Sequence, residues 1–137
     1  MKHYHIKSLA ALVLGTLLLT GCEKVTVDEE MLLGSWGYEE AVNMPVIMSL
    51  YEGGNAKWYI GPGCFGEAHT TNFKWELADK GHRVYFRAEG QTTPSIKWEL
   101  SKRLPDTLFV KERLRQEDGK FSDDIDRIYV RERTGLN

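Results

Sequence analysis

Between residues 34 and 133 the chain is a succession of short apolar–polar alternations, each broken by turn residues. Alternation with a period of two buries one face of an extended segment and wets the other, which suits a half-buried strand and not a helix. Candidate strands fall at residues 34–42, 45–51, 56–60, 69–77, 82–88, 94–101, 107–114 and 125–133. Residues 69–77 show the pattern well: Phe73, Trp75 and Leu77 share one face, Lys74 and Glu76 the other. Glu52-Gly53-Gly54-Asn55, Ala78-Asp79-Lys80-Gly81 and Leu104-Pro105-Asp106 are turns by composition, and residues 61–66 and 116–124 are loops. Residues 28–33 (DEEMLL) suit one helical turn with Asp28 as N-cap, stopped by Gly34.

Part of the pattern repeats. Phe73-Lys74-Trp75-Glu76-Leu77 recurs 23 residues later as Ile96-Lys97-Trp98-Glu99-Leu100, and at the same offset Phe86 matches Phe109 and Glu89 matches Glu112. Strand, turn, strand is the repeated unit, and adjacent hairpins build an up-and-down meander. An open meander leaves two edges to be protected, whereas closing eight strands removes them and leaves room for side chains or one small ligand. The expected fold is therefore all-β: an antiparallel meander of about eight strands closing into a small barrel.

The first residues follow a different logic. Lys2 and Lys7 precede an 11-residue apolar run at residues 9–19, and Leu19-Thr20-Gly21-Cys22 follows. That run is shorter than the roughly 20 residues of a membrane-spanning helix but fits the apolar region of a secretory signal. Leu19-Thr20-Gly21-Cys22 resembles the lipobox of bacterial lipoproteins. The resemblance implies cleavage after Gly21 and acyl chains on Cys22, hence a membrane partner reached through lipid. Glu23 in place of aspartate after the cysteine implies the periplasm-facing leaflet of an outer membrane. The expected division is a signal peptide over 1–21, a tether over 22–30 and a barrel over 31–137. The net charge is −2, and removing Lys2 and Lys7 makes it −4, so no basic excess points to nucleic acid.

Leu32-Leu33-Gly34-Ser35-Trp36 just after the tether, residues 48–58, residues 73–77, Asp106-Thr107-Leu108-Phe109-Val110 and Ile128-Tyr129-Val130-Arg131-Glu132 together resemble the lipocalin-like domains of bacterial lipoproteins. The resemblance implies a β-barrel, with the tryptophan of the Gly34-x-Trp36 element plugging one end, and binding of an apolar ligand. The turn at Glu52-Gly53-Gly54-Asn55 and the loop at residues 61–66 depart from the family pattern.

Trp58, Phe73, Trp75, Phe86 and Trp98 are the candidate ligand-lining residues; the alternative is that they form the core itself. Cys64 and Phe65, in the glycine-rich loop, are the candidate partner contact. Cys64, His69 and His82 make an incomplete zinc set, with no fourth ligand placed by spacing. Asp123, Asp124 and Asp126 do not follow calcium-loop order. Arg127, Arg131 and Arg133 alternate on one face of the last strand, as an outward row protecting an edge would. No motif names a catalytic residue, a metal or a cofactor. The expected activity is binding of a small apolar or lipid-like ligand at the membrane, not catalysis. The alternative is an envelope accessory or inhibitor that binds another protein.

Overall fold

The alternating segments become strands that close on themselves. A computed structural model describes residues 24–38, 45–62 and 66–132. One helical turn, α1 (Glu29–Leu32), precedes β1 (Gly34–Tyr38), β2 (Val46–Tyr51), β3 (Asn55–Ile60), β4 (His69–Ala78), β5 (Arg83–Ala88), β6 (Ile96–Leu104), β7 (Thr107–Leu114) and β8 (Ile125–Arg131). Each strand pairs antiparallel with the next, and β8 pairs with β1, so the barrel closes in sequence order. Closure of an antiparallel meander is the architecture that the lipocalin-like resemblance implies. Cys22, Cys64, Phe65 and Arg133 lie outside the described residues.

Strand register sends one alternate set inward. Trp75 lies opposite Phe86, Phe86 opposite Ile96, Val84 opposite Trp98, and Leu108 opposite Tyr129. These residues belong to one buried cluster. Phe86 meets Trp98 edge-on at 4.7 Å between ring centroids, and Trp98 meets Tyr129 at 4.6 Å. Rings at this spacing fill the middle of the barrel and favour each other beyond simple burial.

The 23-residue repeat survives in β4 and β6 but not in the strands that return. Trp75 and Trp98 both point inward, yet Trp75 faces Phe86 while Trp98 faces Glu112. The structural counterpart of Phe86 is thus Glu112, three residues beyond the sequence match at Phe109. Hairpin β6–β7 has a shifted register, with a bulge between Leu100 and Lys102. A bulge of this kind lets the second hairpin place a carboxylate where the first has a phenyl ring.

The two ends of the barrel differ. At one end the segment before β1 crosses the opening. Lys24 pairs with Asp79 at 2.9 Å, and that hydrogen bond above all holds the Asp79 carboxyl below its usual value. His82 Nδ1 lies 2.8 Å from the Val25 carbonyl oxygen, and the Val27 N–H donates to the Gly81 carbonyl at 2.8 Å. Leu32 is then fully buried as a plug, and its carbonyl accepts from Trp36 Nε1 at 2.8 Å. Residues 24–30, read from sequence as tether, lie along this strapped end. The far end, where β1 finishes and β8 begins, carries the β1–β2, β3–β4, β5–β6 and β7–β8 connections.

Gly81 makes the strap possible. Its φ is +91°, and a Cβ there would lie 2.3 Å from the Val27 carbonyl oxygen. Replacing Gly81 by alanine is expected to push the strap off and cost about 2 kcal/mol, since both the backbone strain and the lost contact act in one direction. Urea unfolding of the Gly81→Ala variant checks this, and an unchanged midpoint would refute it.

Candidate functional site

A carboxylate inside a β-barrel needs partners, because an unpaired buried charge costs several kcal/mol. Glu112 is 1% exposed and has three. Trp98 Nε1 donates to its Oε1 at 3.0 Å, the Tyr129 hydroxyl donates to the same oxygen at 2.5 Å, and Arg127 Nε donates to Oε2 at 3.0 Å. Register explains the meeting: Glu112 is opposite Trp98 on β6, and Arg127 and Tyr129 project inward from β8, next to β7.

Tyr38 completes the group from β1. Arg127 hydrogen-bonds the Tyr38 hydroxyl and lies over its ring at 4.3 Å. The Tyr38 and Tyr129 rings are 6.0 Å apart. Burial first, and then the charge of Glu112, hold the Tyr129 hydroxyl well above its ordinary value of 10.0. The Arg127 side chain keeps 22% of its surface exposed, so the network is dry at Glu112 and reaches solvent at the guanidinium. Its two formal charges cancel. Chemically it can offer the partly exposed edge of the Arg127 guanidinium to a polar group arriving from the far end.

The apolar surroundings grade from closed to open. Phe86 and Trp98 are completely buried, while Phe73 and Trp75 are 8% and 5% exposed. Trp75 Nε1 is spent on the Tyr51 carbonyl at 3.0 Å. Trp58 is half-buried and packs against the core, as do Tyr38, Ala88 and Leu114. These last four sit toward the far end. Of the five candidate ligand-lining residues, Trp58 therefore borders that rim, and the others belong to the buried cluster beneath it. A separate groove of about 460 Å³ lies at β3 and β4, lined by Tyr51, Asn55, Ala56, Lys57, Asn72, Phe73, Lys74 and Glu89, so the candidate Phe73 borders it.

Other sequence candidates fall elsewhere. The expectation of an outward arginine row on an edge strand is corrected: β8 is paired on both sides, and Arg127 and Arg131 share the inward face with Tyr129. Arg131 binds Asp106 at 3.2 Å and the carbonyls of Leu33 and Met31 at the strapped end. His69 opens β4 at the far end, whereas His82 stands at the strapped end between Val25 and Glu99. Asp124 is paired with Arg113 at 2.5 Å. Among the described residues no group of three or more His, Cys, Asp or Glu side chains is arranged to hold a metal ion. Cys64 and Phe65 lie outside the described residues.

Sequence reasoning did not single out the Glu112 network. Its signal is nevertheless present: Glu112 continues the phase of Leu108 and Val110, and Arg127 that of Tyr129. No protein-family model, curated protein or solved structure matches the chain.

Two outcomes follow from this geometry. Glu112→Gln keeps the shape but strands Arg127, and is expected to cost about 3 kcal/mol. Adding Arg127→Met to Glu112→Gln should recover part of that loss, because the stranded charge is removed while the amide oxygen still accepts from Trp98 Nε1 and the Tyr129 hydroxyl. Urea midpoints of the three proteins decide it; a double variant less stable than Glu112→Gln would contradict the account. Separately, a Tyr129 held neutral in the fold contributes stability that is present below about pH 10 and lost as pH rises above it. Absorbance titration at pH 11 should therefore give the same tyrosinate signal for the folded protein and its Tyr129→Phe variant, and a smaller signal in the variant would count against this.

Proposed function

We propose that this protein is a lipid-anchored binding module, held by acyl chains on Cys22 at the periplasmic face of the outer membrane. Its far end takes the apolar part of a small lipid-like ligand. The observation that carries the proposal is the asymmetry of the barrel. One end is filled by Leu32 and Trp36. At the other, Trp58, Leu114 and Ala88 remain half-buried around an inward-facing polar group.

Ligand sites of this kind combine apolar walls with a few placed polar groups that fix orientation. Trp58 and Leu114 supply the wall. The partly exposed Arg127 guanidinium supplies the polar end, to which a hydroxyl, ester or headgroup oxygen can hydrogen-bond. Since Phe86, Trp98 and Tyr129 fill the middle, the ligand enters only part of the barrel. The domain is assigned binding and no reaction.

Adding a monoacylglycerol or a fatty acid to the protein should shift tryptophan emission, and native mass spectrometry should find the amphiphile bound. Trp58→Ala is expected to weaken binding by about tenfold, in line with the 1–2 kcal/mol of a half-buried aromatic contact. No spectral change at saturating amphiphile, together with no bound mass, would reject the proposal.

A further inference from the structure

We propose that the strapped end of the barrel is its membrane face, so that the far end opens away from the bilayer that holds the protein. This inference rests on lipidation of Cys22 and adds an orientation to it.

Chain length ties the lipid-bearing residue to the strapped end. Lys24 is tied to Asp79, Val25 to His82 and Val27 to Gly81, all at the strapped end. Cys22 is two residues before Lys24. At about 3.5 Å per residue, the lipid-bearing residue lies within about 7 Å of that fixed point. A tether of eight residues, 23–30, would allow any orientation; the single residue between Cys22 and Lys24 does not.

The surface at that end suits a bilayer boundary. Among the described residues, the exposed large hydrophobic side chains are Met31, Tyr51 and Leu104. They come from α1, the last residue of β2 and the last residue of β6, three segments that meet only at the strapped end. Val27, Met31, Leu104 and Pro105 line one depression there, flanked by Arg103 and Arg131. Arg103 Nη1 reaches the Met31 sulfur at 2.8 Å. Apolar side chains beside arginines suit the boundary between acyl chains and phosphate groups, where the arginine stem lies in the apolar layer and its head meets phosphate.

Charge sets the tilt. Asp28, Glu29, Glu30 and Glu52 gather around Leu33 on another part of the same end. Phospholipid phosphates repel that part and attract the side bearing Arg103 and Lys102, so the barrel leans onto Leu104. It follows that the rim around Trp58 and Arg127 faces water. A ligand then exchanges with the aqueous space or with a carrier in it, and not with the leaflet that holds the acyl chains.

The test uses full-length lipidated protein in vesicles of phosphatidylethanolamine and phosphatidylglycerol, on a Cys64→Ser background. Thiol-reactive fluorophores are placed at Leu104→Cys on the strapped end and Thr92→Cys on the β5–β6 connection at the far end. Nitroxide-labelled phospholipid should quench the first severalfold more than the second. Hydrogen exchange on the unlabelled protein should show added protection on vesicles around residues 102–106 and not around residues 89–93. Equal quenching at both positions, with the protein floating with vesicles and acyl mass present on Cys22, would overturn the orientation while leaving lipidation intact. Absence of acyl mass on Cys22 and of flotation would overturn lipidation and the orientation with it.

Discussion

Pairing of β8 with β1 is the constraint on which the rest depends. Once Trp36 lies beside Arg131 and Tyr38 beside Tyr129, no strand has a free edge. Every inward position is then enclosed by the other seven strands. That single closure decides the environment of β8: side chains that would be a solvated row on an edge become the lining of the interior. It also decides what those side chains must do, because an arginine inside a barrel needs a carboxylate, and β7 supplies Glu112.

The internal network and the strap make the two ends of the barrel different. At the strapped end, Leu32, Trp36 and the hydrogen bonds of Val25 and Val27 close the interior and bind the amino-terminal segment to the β4–β5 turn. Toward the far end, Glu112, Arg127, Tyr129 and Tyr38 form a neutral polar layer beneath half-buried apolar residues. Closed at one end and graded at the other, the barrel has a direction. The proposed binding at the graded end and the proposed membrane contact at the closed end both rest on that same direction.

The eight strands were legible because each carries its own signal. Residues 107–114 alternate, have turn residues on both sides, and become β7 with the same bounds. Alternation is a local property of a half-buried strand, so it can be read without knowing the partners. The helical turn before Gly34 was legible for the same reason, since acids and an Asp28 start signal precede a glycine. The candidate site was legible only in part. Trp98 and Phe86 were visible as inward aromatics, but which residue each would face was not. The sequence repeat pointed Phe86 to Phe109, and the shifted register of β6 and β7 put Glu112 in that place instead.

By itself, then, the sequence determined the strand count, the turns, the antiparallel order and which alternate set is apolar, because these depend on neighbours a few residues apart. Tertiary structure alone decided that β8 is interior on one face, that Glu112 meets Arg127 and Tyr129, and that residues 24–28 cross one end of the barrel. Those outcomes depend on closure and register, which join residues far apart in the chain: Arg127 and Tyr38 are separated by 89 positions and still share a hydrogen bond. A pattern of period two carries no information about contacts of that range until the sheet has closed.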